Sequence, residues 1–185
     1  MSHVVCLRHP GEPEDSYREQ VQTLGAFEWA PADDVDADSW VQQAAAAITA
    51  RTGGEPVHVI ASGRAVPRAL MLAVRHADLV ISVLADDPVV DEDDPTYWEL
   101  LRGVRAPTLV LVAAPTQDTD TSQAQTIAGG VDNGVMVIID GAAVPVHRQA
   151  SHSFHEWVTS FMSIAEGLRA LASEQQSDQK EEQHA

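Results

Sequence analysis

The sequence has a single cysteine and no long hydrophobic run. Cys6 alone cannot form an intrachain disulfide, and its apolar neighbours predict a buried, inert thiol. No stretch approaches the roughly 20 apolar residues that a membrane-spanning helix needs, and no secretory signal precedes the first apolar run. We therefore expect a cytoplasmic protein that does not associate with membranes.

Basic residues are also scarce. The chain has 11 Lys and Arg against 28 Asp and Glu, which gives a formal net charge of −17. Such a surface repels phosphate backbones, so we expect no nucleic-acid partner. A small-molecule ligand or substrate, a protein partner or a second copy of the chain remain as candidate partners.

Short apolar runs, most of them continuous, alternate with helical patterns. Continuous apolar strands are typical of a parallel sheet that is covered on both faces. The predicted strands are 3–7, 28–31, 57–61, 79–85, 107–113 and 135–139, and the predicted helices are 17–24, 39–51, 66–75, 97–101 and 151–172. This order predicts an α/β fold, a three-layer α/β/α sandwich with a mostly parallel sheet of about six strands.

We expect a single domain over residues 1–172. Residues 173–185 are polar and lack apolar periodicity, which predicts a disordered tail. Two acidic stretches, 33–38 and 91–94, lack the glycine and the distal glutamate of a calcium-binding loop, so we interpret them as solvated loops.

Residues 57–74, VHVIASGRAVPRALMLAV, contain a strand pattern, five small or turn-forming residues and then a helical pattern. A sharp turn from a strand into a helix is where many enzymes present a nucleophile. The turn Ala61-Ser62-Gly63-Arg64-Ala65 is therefore the first candidate site.

The order of these segments resembles the α/β-hydrolase family over residues 3–165. Val4-Val5-Cys6-Leu7-Arg8-His9-Pro10-Gly11 is similar to a core strand and its His-Gly loop, and the 57–80 segment to the strand, turn and helix that carry the nucleophile. The segments 106–112 and 137–142 are similar to the strands before the catalytic acid and histidine. The resemblance implies a small member of the family with almost no cap between residues 87 and 107.

The resemblance fails at the catalytic positions. The family's Gly-x-Ser-x-Gly turn falls on residues 61–65, so that Gly63 occupies the nucleophile position. The acid position falls near Thr116 and the histidine position near Val144. None of these three residues supplies a nucleophile, a base or an orienting carboxylate, so we expect a degenerate triad and a pseudoenzyme.

A displaced triad is an alternative. Ser62, Asp118 and His147 lie one, two and three residues from the expected positions, which would give a small lidless esterase or thioesterase. His147, His152 and His155 also raise a metal site, but their spacing matches no strong zinc signature. We expect no metal and no cofactor.

Other polar residues near the predicted strand ends are candidates for ligand binding: His9, Gly63, Arg64 and Asp87. Arg64 and Arg68, four apart beside a helix start, suit an anion or else pair with surface acids. Three functions follow from the sequence. The first is a non-hydrolytic ligand-binding or accessory protein, the second is the displaced-triad esterase, and the third is an acid–base lyase, isomerase or cyclase that uses His9, Asp87 or His147.

Overall fold

The computed structural model describes residues 2–182, with side chains described as far as Ser173. Within them, strands and helices alternate as the apolar pattern predicts. The strands are β1 His3–Leu7, β2 Phe27–Trp29, β3 Val57–Ser62, β4 Val80–Asp86, β5 Thr108–Ala114 and β6 Gly134–Asp140. The helices are α1 Arg18–Leu24, α2 Ala37–Thr52, α3 Val66–Arg75, α4 Tyr97–Gly103, α5 Ser122–Gly130, α6 Val146–Gln149 and α7 Ser151–Glu182.

The six strands form one parallel sheet in the order β2-β1-β3-β4-β5-β6. All carboxyl ends therefore lie at the same edge of the sheet. The register aligns Ser62, the last residue of β3, with Asp86, the last residue of β4. Two polar side chains that are 24 positions apart in sequence thus become neighbours where ligands bind in parallel sheets.

Helices cover both faces of the sheet, which explains the continuous apolar strands. Every residue of β3, β4 and β5 is buried. One face packs against α2, α3, α4 and α5 through side chains such as Trp40, Leu70 and Ile127. The other face packs against α6, α7 and the segment leading into α1, through Tyr17 and Phe154 among others. The predicted three-layer α/β/α fold is confirmed.

The structure differs from the prediction mainly after β5. The short helices α5 and α6 were not predicted, because α5 buries only Ala124 and Ile127 and α6 has four residues. Helix α7 continues to Glu182, where we predicted a disordered tail from residue 173, because Glu, Gln and Lys all favour helices. Residues 183–185 of that tail lie outside the described residues.

The segment between β4 and β5 is short, as expected from the sequence. It contains one helix, the seven-residue α4. No helix in the described part of the chain, including the long α7, is both long and apolar enough to cross a membrane.

Candidate functional site

The turn between β3 and α3 has the geometry of a nucleophile-bearing turn but no nucleophile at its tip. Gly63 follows β3 directly and has a φ of +54°, in the left-handed region. A Cβ atom built on Gly63 would meet no atom within 4 Å. The position that the sequence assigns to the nucleophile is therefore open, and glycine suits its backbone conformation.

Ser62 directs its side chain away from this tip. It is 7% exposed, and its Oγ donates a hydrogen bond to Asp86 Oδ2 at 3.0 Å. No hydrogen bond joins Ser62 to His147 among the described residues. A serine that donates to a carboxylate has no histidine to take its proton, so this contact does not make Ser62 a nucleophile.

Asp86 and His147 form a buried pair at the carboxyl edge of the sheet. Asp86 is fully buried, His147 in α6 is 3% exposed, and His147 Nδ1 lies 2.5 Å from Asp86 Oδ2. The other ring nitrogen, Nε2, lies 3.2 Å from the backbone oxygen of Ser16. Both ring nitrogens thus face acceptor oxygens, and the segment containing Ser16 covers the ring.

Tyr17 completes this buried cluster. Its ring stacks on His147 with centroids 4.7 Å apart. Burial raises the pKa of the Tyr17 hydroxyl well above its usual range, so the hydroxyl stays protonated at neutral pH. The backbone N–H of Ser62 interacts with the Tyr17 hydroxyl and partly opposes this rise. Asp86 Oδ1 is buried without a hydrogen-bond partner among the described residues, which leaves a polar atom available next to the pair.

Asp87 connects three elements at the carboxyl edge of the sheet. Its Oδ1 accepts from the Ala113 N–H at 2.7 Å and its Oδ2 from the Val146 N–H at 2.8 Å. Its φ of 41° is unusual for a residue with a side chain. Burial, together with the neighbouring Asp86 charge, raises the pKa of Asp87 to about 6, although both N–H donors oppose this shift. The two hydrogen bonds tie the end of β4 to β5 and α6.

The structure does not support the displaced triad as predicted from the sequence. Asp118 is exposed in the loop after β5, and the carboxylate that contacts His147 is Asp86. The sequence prediction placed the carboxylate after β5. In the structure β4 lies next to β3, so the carboxylate at the end of β4 is the one beside the turn. Thr116 and Val144, at the expected acid and histidine positions, are both exposed.

The other predicted ligand-binding residues make separate contacts. His9 Nδ1 lies 2.7 Å from the backbone oxygen of Pro10, and Arg64 is exposed. The Arg68 guanidinium packs over the Trp40 ring at 5.9 Å.

The three histidines proposed for a metal also lie in different environments. His147 contacts Asp86, while His152 lies 3.6 Å from Glu156. His155 Nε2 lies 3.3 Å from the side-chain nitrogen of Gln20. Among the described residues, no group of three or more His, Cys, Asp or Glu is arranged to hold a metal ion.

A small pocket lies beside the turn at the carboxyl ends of β4 and β5. Its volume is about 260 Å³, and it is lined by residues 87–89, 112–113 and 119–124 and by Val144. The backbone N–H of Val89 donates to the Gly63 carbonyl at 3.1 Å, which links this pocket to the turn. The pocket can accept only a small ligand.

Sequence reasoning missed Asp86 and Tyr17. Asp86 precedes the predicted residue Asp87 in the sequence, and Tyr17 stacks on the predicted residue His147. Neither Asp86 nor Tyr17 belongs to a local sequence motif. The available signal was the strand order, because a carboxylate that ends the strand adjacent to β3 must lie beside the turn.

No protein-family model and no curated protein matches the sequence. Solved structures, however, match most of the chain. A serine hydrolase involved in carbazole degradation matches with a TM-score of 0.74 and 15% identity, covering 89% of this chain and 92% of that one. An α/β-hydrolase enzyme from a sediment metagenome of the Mar Chica lagoon, Morocco, matches with a TM-score of 0.73 and 9% identity, covering 90% of this chain and 93% of that one.

A third similar structure is the 2-hydroxy-6-oxo-6-phenylhexa-2,4-dienoate hydrolase of a Rhodococcus strain. It matches with a TM-score of 0.67 and 12% identity, covering 88% of this chain and 91% of that one. At such low identities these matches establish the fold and leave the chemistry to be argued from the site.

Proposed function

Since the chain has the α/β-hydrolase fold, we propose that it is a non-hydrolytic protein of that fold, which binds a small ligand at the carboxyl edge of its sheet or acts as an accessory protein. It would form no acyl-enzyme. This proposal makes the chain a pseudoenzyme with respect to ester hydrolysis.

The observation that carries the proposal is Gly63 at the tip of the turn. Covalent acyl transfer needs a nucleophile whose proton a neighbouring base accepts. Gly63 has no side chain, and Ser62, one residue earlier, donates to Asp86. His147 is held between Asp86 and Ser16, so the serine and the histidine are not paired with each other.

A second candidate, acid–base catalysis without a nucleophile, is favoured by the Asp86–His147 pair. A histidine oriented by a buried carboxylate is a common general base, and the Tyr17 ring stacks on His147 in the same cluster. We rank this candidate second because His147 is only 3% exposed and its Nε2 is occupied by a backbone oxygen. A substrate would have to displace the segment around Ser16.

Turnover of p-nitrophenyl acetate tests the proposal. We expect the wild type to show no saturable hydrolysis and Ser62→Ala to behave identically. Ser160→Ala is a matched control, because it removes an exposed serine on α7 whose hydroxyl donates only to its own helix. Circular dichroism of each variant checks that it is folded.

Each contrary outcome identifies a different alternative. Saturable turnover that Ser62→Ala abolishes and Ser160→Ala leaves unchanged would show a serine esterase and refute the proposal. Turnover that survives Ser62→Ala but is lost in His147→Gln would show that His147 promotes ester hydrolysis without Ser62, and it would also refute the proposal.

A further inference from the structure

A second concave site lies away from the turn, between α3 and the segment that joins β4 to β5. Its volume is about 410 Å³, within the range of about 300 to 1,000 Å³ that is typical of small-molecule sites. It contains none of Ser62, Asp86 or His147, so it is distinct from the cluster described above. We call it the α3–α4 groove. Its apolar lining is Pro67, Met71, Val74, Val90, Tyr97 and Leu100.

The apolar lining is partly open to solvent. Val90 and Tyr97 are buried, whereas Met71, Val74 and Leu100 are only half-buried and pack against the core from one side. A ligand with an apolar body would remove the remaining surface of these side chains from water, which stabilises the complex by about 25 cal/mol for each Å² buried.

Three carboxylates surround this apolar lining. Asp91, Asp94 and Glu99 line the groove and are exposed, and none of them makes an ion pair with another residue in the described part of the chain. The one cation of the groove, Arg75, is bound to Asp38 at 2.7 Å. The groove therefore presents unbalanced negative charge around an apolar surface.

Tyr97 contributes to the wall of the groove. It is 4% exposed, and its hydroxyl is enclosed by the protein, without a hydrogen-bond partner among the described residues. A ligand in the groove would therefore contact the Tyr97 ring and not its hydroxyl. Burial, with a contribution from the Glu92 charge, raises the pKa of Tyr97 to about 12, so the hydroxyl stays neutral.

We propose that the α3–α4 groove binds a small apolar molecule that carries an amine. The alkyl or aryl part would pack on Met71, Val74 and Leu100, and the ammonium group would lie near Glu99. The size of the groove argues for a small molecule, because a stable protein interface requires about 800 Å² from each partner. The inference does not depend on whether the turn at Gly63 is catalytically inactive.

Three probes of equal chain length test the proposal on the full chain: octylammonium, octan-1-ol and octanoate. Amide chemical shifts measured by NMR report both affinity and location. We expect octylammonium to bind most tightly and octanoate at least tenfold more weakly, with shifts concentrated in α3, α4 and residues 90–96. Equal binding of all three probes, or shifts concentrated elsewhere, would overturn the proposal.

Variants separate the charge of the groove from the net charge of the protein. Glu99→Gln should weaken the binding of octylammonium about threefold, which corresponds to the loss of an exposed ion pair. The affinity for octan-1-ol should not change. Asp118→Asn makes the same charge change at an exposed position outside the groove and should leave both unchanged. Met71→Lys, which places a cation in the groove, should abolish octylammonium binding.

Two results would refute the role of the groove. The first is an equal loss of affinity in Glu99→Gln and Asp118→Asn, which would indicate a general charge effect. The second is binding of a basic amphipathic peptide by a protein that does not bind octylammonium, which would indicate a protein-docking surface instead.

Discussion

Replacing Gly63 by alanine tests the geometry of the turn directly. A left-handed conformation costs a residue with a side chain about 1 to 2 kcal/mol, and Gly63 has a φ of +54°. The added Cβ meets no atom within 4 Å, so no steric cost adds to this. Alanine also restricts the unfolded chain, which offsets part of the loss. We expect Gly63→Ala to lower the free energy of unfolding by about 1 kcal/mol, measured by urea denaturation.

Gly134→Ala is the matched comparison. A Cβ at Gly134, the first residue of β6, would lie 2.1 Å from the backbone oxygen of Ala128. Because a backbone atom cannot move aside cheaply, we expect a loss well above that of Gly63→Ala. A stabilising Gly63→Ala would show that the turn is not left-handed. A loss as large as that of Gly134→Ala would show that the space at the tip is not open.

Three further predictions concern stability. Asp36→Ala should lower the midpoint of urea denaturation, because it removes the N-cap of α2, and an unchanged midpoint would contradict this. The pKa of Asp87 is raised to about 6, so the native state binds more protons than the unfolded state between about pH 4 and 6. The contribution of Asp87 to stability therefore falls as the pH rises through this range, and the deficit of Asp87→Asn should be larger at pH 4 than at pH 7. If the stability difference between the wild type and Asp87→Asn were instead larger at pH 7 than at pH 4, this prediction would be refuted. Burial lowers the pKa of His58, so stability should decrease as the pH falls below about 6.5. His58→Gln should lack that decrease, and an unchanged pH profile would contradict the assignment.

The fold could be predicted largely from the sequence because its strands are continuous apolar runs. Every residue of β3, β4 and β5 is buried, so each strand stands out without reference to its neighbours. The helix α5 was missed because its sequence, SQAQTIAGG, ends in two glycines and buries only two side chains. Its position is fixed by packing against β5 and β6, which a local pattern does not record.

The candidate site could be predicted only in part, since its contacts depend on strand order. Ser62 and His147 were named from their proximity to the expected catalytic positions. Their shared partner, Asp86, was not named, because its carboxylate becomes relevant only when β4 lies beside β3. Asp118 was named instead from its place in the sequence, and the structure leaves it exposed. A spacing along the chain cannot distinguish these two carboxylates, whereas the parallel register does.

The intact mass of the protein after incubation with a fluorophosphonate tests the central claim most directly. We expect an unchanged mass for the folded wild type, because Gly63 offers no nucleophile and Ser62 donates to Asp86. One adduct per chain that disappears in both Ser62→Ala and His147→Ala would contradict this expectation and show an active serine hydrolase.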